Sequence, residues 1–237
     1  MNKVKLHTLW LLGMLFLMTA CGDDDDYYYP SVKLEFVTVK AGADGLIQSL
    51  LPDKGELLTV AKDRTGSTIS PNSARRVISN YEVNPEDATA VISSLQAVGA
   101  PEPKGADDPA FEGGLKYDPV DVTSIWLGRD YLNMILNVKI NINSGKQHVF
   151  GMIEESVEVE GDETVVTLSL FHDANGDEEN YNRRAYISVP LTKYVDEENP
   201  HQTIRIKFKY HTTDKNGVVV ESSKYCDPGF EYVPGVN

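Results

Sequence analysis

The sequence predicts an all-β protein of two parts, a small N-terminal barrel followed by an antiparallel β-sandwich. Three observations lead there. Apolar and polar residues alternate with period two in many short runs, most clearly over residues 131–142. Turn-forming groups such as Asp53-Lys54-Gly55, Arg64-Thr65-Gly66, Gly161-Asp162 and Asn216-Gly217 separate these runs at hairpin lengths. The apolar residues of the N-terminal half show no 3.6-residue period of the kind a helical domain needs.

The first twenty residues stand apart. Lys3 and Lys5 precede an apolar run over residues 9–18, the polarity order of an export signal. The run is about half the roughly 20 residues a spanning helix requires. It ends Leu17-Met18-Thr19-Ala20-Cys21, which resembles a bacterial lipobox, so Cys21 is expected to become the lipidated N-terminus. Acyl chains there would hold the protein on a membrane at about 0.8 kcal/mol per buried methylene. Asp23, Asp24, Asp25 and Asp26 follow at once and resemble the acidic signal that sends Bacteroidetes lipoproteins to the outer face of the outer membrane. Residues 1–20 are thus read as signal peptide and 21–30 as acidic tether.

The barrel is expected over residues 31–100. Residues 32–39 open as a strictly alternating strand, and further strands are expected at 56–62, 76–83 and 90–98. Residues 101–119 are rich in proline and glycine, as a linker or ordered loop would be. The sandwich is expected over 120–237. Leu132, Met134, Leu136, Val138, Ile140 and Ile142 alternate with Tyr131, Asn133, Ile135, Asn137, Lys139 and Asn141, giving one apolar face. Strands around 122–127, 147–153, 165–171, 185–191 and 204–210 flank it. Asn216-Gly217 reads as a two-residue hairpin turn into Val218-Val219-Val220.

Taken together, the lipobox and acidic run, Tyr27-Tyr28-Tyr29-Pro30-Ser31-Val32-Lys33-Leu34, Arg75-Arg76-Val77-Ile78-Ser79-Asn80-Tyr81, and His172-Asp173-Ala174-Asn175-Gly176-Asp177 with Tyr186-Ile187-Ser188-Val189-Pro190-Leu191 resemble the NigD-like lipoproteins of Bacteroides and relatives. The resemblance implies that the barrel is OB-like and that the protein has an immunity-like role. It brings no catalytic residues.

Composition narrows the chemistry. Lys+Arg number 22 and Asp+Glu 36, a formal charge of -14. Loss of Lys3 and Lys5 with the signal leaves 20 cations against 36 acids, or -16. Nucleic acid is not an expected ligand, because no cationic stretch is available to neutralise phosphates. Cys226, the thiol remaining besides Cys21, is expected to be buried in its aromatic segment. Asp173, Asn175 and Asp177 place oxygen ligands at alternate positions, as calcium prefers. Counted as an EF-hand loop, however, the segment has Glu178 where glycine is required and Arg184 where the bidentate glutamate belongs. The simpler reading is a polar hairpin turning at Asn175-Gly176 between the flanking strands. His148, His172, His201 and His211 lack ligand spacing, and no nucleophile or phosphate-loop motif occurs, so no enzyme activity, catalytic residue, metal or cofactor is expected. Tyr27 to Tyr29, Tyr81, Trp126 and Tyr131 could stack on sugar rings, although core packing is their commoner use. The expectation is a lipid-anchored, surface-exposed outer-membrane binding protein. Its partner would be a protein or peptide, in a bacteriocin-immunity-like role; the alternative is a carbohydrate-binding accessory lipoprotein.

Overall fold

The computed structural model describes residues 31–161, 163–177 and 180–235. The export signal, Cys21, Asp23, Asp24, Asp25 and Asp26, and Tyr27 to Tyr29 lie outside these. No helix among the described residues is long and apolar enough to cross a membrane.

Five strands close into a barrel in the order β1-β2-β3-β5-β4: β1 (Ser31–Ala41), β2 (Ile47–Pro52), β3 (Leu58–Asp63), β4 (Ala74–Asn84) and β5 (Thr89–Ala97). Alternate residues turn inward, and Val37, Val39, Leu50, Tyr81, Ala90 and Ile92 are fully buried. Each large side chain so placed contributes roughly 1.5–3 kcal/mol of apolar transfer. Tyr81 keeps its polar end satisfied by donating to Glu35 Oε1 at 2.6 Å. Strand β2 was not among the expected strands, because adjacent Leu50 and Leu51 interrupt its alternation and Pro52 ends it. Tertiary pairing with β1 holds it in place.

The remaining eight strands are β6 (Pro103–Gly105), β7 (Asp121–Gly128), β8 (Tyr131–Ile140), β9 (Val149–Glu160), β10 (Glu163–Asp173), β11 (Tyr181–Pro190), β12 (Ile204–Thr213) and β13 (Val219–Tyr232). They form a three-stranded sheet, β11-β8-β7, facing a five-stranded one, β13-β12-β10-β9-β6. Leu132, Met134, Leu136, Val166, Leu168, Ile187, Val189, Ile206 and Phe208 fill the space between the sheets. The β-sandwich is as expected, but it is not antiparallel throughout. Strands β10 and β12 pair in parallel, as do β6 and β9, because the chain leaves β10 for the opposite sheet and returns beside it as β12.

The same crossing corrects the reading of Asn175-Gly176. Both residues have positive φ, as a tight turn needs, yet β10 and β11 do not pair. The segment carries the chain from one sheet to the other. At Asn216-Gly217 the turn is longer than expected. Asp214 N–H donates to Val218 O at 2.8 Å, and Gly217 N–H donates to Asp214 O at 3.0 Å, so three residues make the loop and only Gly217 takes positive φ. Asp214 Oδ1 also accepts from the Asn216 and Val218 amides, which holds its carboxyl below the usual range.

Between the barrel and β7, the segment adds β6 to the edge of the five-stranded sheet and buries Phe111 against Ile153 and Phe171. Asp108 caps the short 3-10 turn Pro109–Phe111 by accepting from Ala110 N–H at 2.8 Å. Cys226 is half-buried and free, not buried as expected. Its Sγ lies 3.6 Å from Phe208 O, and burial pushes the thiol up.

Candidate functional site

The outer face of the three-stranded sheet decides how the two β units meet. Register places Trp126, Asn133 and Ser188 in one cross-strand row, with Ile135 and Tyr186 opposite each other in the next. Phe36, Ile78 and Val98 of the barrel side pack onto Trp126, Ile135 and Tyr186. The polar face expected for residues 131–142 is therefore largely covered, and Asn133 is fully buried.

A closed polar network accompanies this apolar contact. Arg76 on β4, only 4% exposed, is its hub. Its Nη2 donates to Asp53 Oδ1 at 2.5 Å and to Asn133 Oδ1 at 3.1 Å, and its Nε donates to Ser188 Oγ at 2.9 Å. Ser188 in turn donates to Asn133 Oδ1, and Asn133 Nδ2 donates to Asp53 Oδ2 at 2.7 Å. The guanidinium also lies over the Tyr131 ring, 4.3 Å from its centroid. A planar fork with five donors suits this set of acceptors, as an ammonium would not. Gly128 is required beside it, since a Cβ there would collide with Asp53 Oδ2 and Asn133 Nδ2. Arg129, in the β7–β8 turn with φ 48°, reaches back to donate to Pro52 O at 3.2 Å and Gly55 O at 2.8 Å. Apart from Tyr131, considered for sugar stacking, none of these residues was singled out as a site from the sequence. An arginine in the β-forming run Arg75-Arg76-Val77-Ile78 was the one available signal, and the partners named above come from three other segments.

Beside the network a groove of about 390 Å³ opens between barrel and sandwich. Phe36, Trp126 and Tyr186 form an aromatic floor, with Phe36 edge-on to Trp126 at 5.2 Å between centroids. Glu35, Lys54 and Arg184 stand at its rim. Of the aromatics considered for sugar stacking, Tyr81 is barrel core, Tyr131 lies under the Arg76 guanidinium, and Trp126 alone lines this groove.

A second polar cluster sits at one mouth of the sandwich. Two of the four histidines meet there although their sequence spacing gave no hint of it. His172 Nδ1 donates to the Asp118 carbonyl at 2.9 Å, so its Nε2 accepts from His148 Nδ1–H at 2.9 Å. This leaves His148 Nε2 3.4 Å from Asp177 Oδ2, where a proton on that nitrogen would complete a relay. Phe150 stacks on the His172 ring at 4.6 Å. Ser169 lies on the opposite face of β10, so it is not placed for the relay to activate. Of the calcium-loop residues, Asp173 accepts from Asn175 N–H at 2.7 Å and Asp177 from Asn141 N–H at 2.9 Å, while Asn175 Nδ2 donates to Gln147 O. The two carboxylates thus face separate partners. Among the described residues no group of three His, Cys, Asp or Glu side chains is placed to hold a metal ion.

Burial pushes the His172 imidazole below its ordinary value; its bond to the Asp118 carbonyl works the other way, and the His148 ring beside it lowers it further. The folded state therefore binds fewer protons than the unfolded one below pH ~6.5. Stability is expected to be full above that pH and to fall as the pH drops toward the depressed folded value, by no more than about 1.4 kcal/mol per pH unit. Urea midpoints at pH 7.5 and 5.5 measure it, and His172→Gln should flatten the difference. An equal acid loss in that variant would assign it to other groups.

Two family models match the chain. The NigD-like N-terminal OB domain matches residues 36–98 and the NigD-like C-terminal β-sandwich domain residues 104–222. Among solved structures, a NigD-like immunity protein from Bacteroides caccae is 68% identical, with 88% of this chain and 100% of that one covered and a TM-score of 0.78. Proteins of Parabacteroides distasonis and Bacteroides vulgatus share the fold at 17% identity. The first covers 83% of this chain and 96% of its own with a TM-score of 0.63, the second 87% and 96% with 0.61. No curated protein matches the chain.

Proposed function

The chain belongs to the NigD-like family, and on that premise we propose that it is a lipid-anchored, bacteriocin-immunity-like binding protein of the outer membrane, exposed at the cell surface, whose partner is a protein or peptide. The observation that carries the reading is the groove at the junction of barrel and sandwich. It offers an aromatic floor with a mixed-charge rim, the arrangement in which a few buried rings supply most of a partner's binding energy. A rigid frame surrounds it, because the Arg76 network fixes the barrel against the sheet that supplies Trp126. The 68% identity to an immunity protein supports the role and suggests a non-catalytic protein. Leu17-Met18-Thr19-Ala20-Cys21 supports the anchor, and Asp23 to Asp26 support the outward address.

Deletion of the protein should sensitise cells to bacteriocin-producing neighbours. Restoring it as Trp126→Ala should protect less than the wild type, since loss of such a ring costs about 2 kcal/mol or more of binding. Unchanged survival of the deletion strain across producing strains would overturn the reading. The same half-buried tryptophan favours a second reading, a carbohydrate-binding accessory lipoprotein, because an indole face also suits a sugar ring. Glycan-array binding that falls in Trp126→Ala, with no sensitisation on deletion, would select it.

A further inference from the structure

We propose that the open edge of β11 takes up an extended segment of the partner by strand addition, and that this segment alternates apolar and acidic residues. The inference rests on the binding role proposed above and names the kind of partner. Strand β11 pairs with β8 along one side. Along the other side its only neighbour among the described residues is a single parallel bridge between Gly99 and Ile187, where Gly99 N–H donates to Tyr186 O at 2.9 Å and Ser188 N–H donates to Gly99 O at 2.8 Å.

Those two bonds show which backbone groups face outward. In an antiparallel pair a residue's N–H and C=O point to the same side, and the side changes with each residue. Tyr186 and Ser188 point away from β8, so Arg184 and Asn182 do as well. Upstream of Gly99 the chain turns away into the barrel, where Gln96 and Ala97 pair with β4. The edge at Asn182 and Arg184 is left facing a groove of about 820 Å³. An unpaired edge of this kind is a template for another strand.

The groove also specifies what should enter. On the sandwich side it is lined by Val138, Ile140, Phe150 and Ala185, so inward side chains of an added strand would meet apolar surface. Lys146, Arg183 and Arg184 line it as well, in a chain whose formal charge is -14. Neither arginine forms an ion pair among the described residues, and both are exposed. Asp177, the groove's described carboxylate, already accepts from the Asn141 amide. An exposed edge flanked by unpaired guanidinium groups suits a strand bearing carboxylates, each able to accept a forked pair of hydrogen bonds.

The test uses purified full-length protein in detergent and a fluorescein-labelled peptide of alternating aspartate and valine, read by fluorescence anisotropy. Its lysine-valine counterpart is the control. The acidic peptide should bind at least about tenfold more tightly than the basic one, and Arg183→Glu with Arg184→Glu should remove that preference. Asn182→Pro deletes one outward N–H while leaving the ladder to β8 and the charges in place, and should also weaken binding about tenfold at an unchanged melting temperature. Failure of the acidic peptide to bind, equal binding of the basic peptide, or undiminished binding to Asn182→Pro in folded protein would each overturn strand addition. Because the assay needs no cells, such a failure beside a sensitised deletion strain removes this mode of binding alone, and leaves the immunity-like role standing.

Discussion

Arg76→Ala is expected to lower the unfolding free energy by about 3–5 kcal/mol, the cost of breaking a buried ion pair from one side. The guanidinium is almost fully buried, and removing it strands the Asp53 carboxylate, also buried, with Asn133 as its remaining side-chain donor. Arg76→Lys should recover little. It restores the charge but not the fork that reaches Ser188, Asn133 and Asp53 together. The loss should also be selective in character. Trp126 is the single tryptophan beyond residue 20 and sits at the junction, so its fluorescence reports barrel–sandwich contact, while far-ultraviolet circular dichroism reports the strands. In wild-type protein the two signals should move together in urea; in Arg76→Ala the fluorescence should move first. Coincident transitions with an unchanged midpoint would show that the network does not hold the two units together.

Phe208→Ala should cost a similar amount, about 3–5 kcal/mol, by a different route. The ring is fully buried between the two sheets, stacked on Tyr210 at 5.9 Å and near Tyr225 at 6.3 Å. Its removal leaves a cavity lined by side chains from paired strands, which cannot collapse freely. No residue of the junction is touched, so both signals should shift together to lower urea. Early release of Trp126 in this variant would mean that the sandwich core supports the junction as well.

The strands were legible because alternation records which side of a chain is dry, a local property. The run at 131–142 and the strand beginning at residue 204 illustrate it, and the barrel could be inferred from four short strands even with β2 unseen. Turns were legible in their backbone demands: Asn175 and Gly176 do take positive φ. Their destination was not legible, because φ does not say to which sheet the next strand belongs. The histidines show the same limit. His148 and His172 are 24 residues apart, and the antiparallel pairing of β9 with β10, which sets Val149 opposite Asp173 at the end of that ladder, brings them together.

The sequence by itself determined the class of fold, the strand-by-strand division into dry and wet faces, and, through its lipobox and acidic run, the expected address. Tertiary structure alone decided that a wet face would be covered. Asn133 reads as a solvent position, yet the barrel docks over it, and Arg76 joins it with Ser188 in a buried network beside the groove. The physical reason is that period two tells which residues share a face but nothing about what packs on that face, and hydrogen-bond partners 23 to 112 residues apart are brought together only by the docking itself.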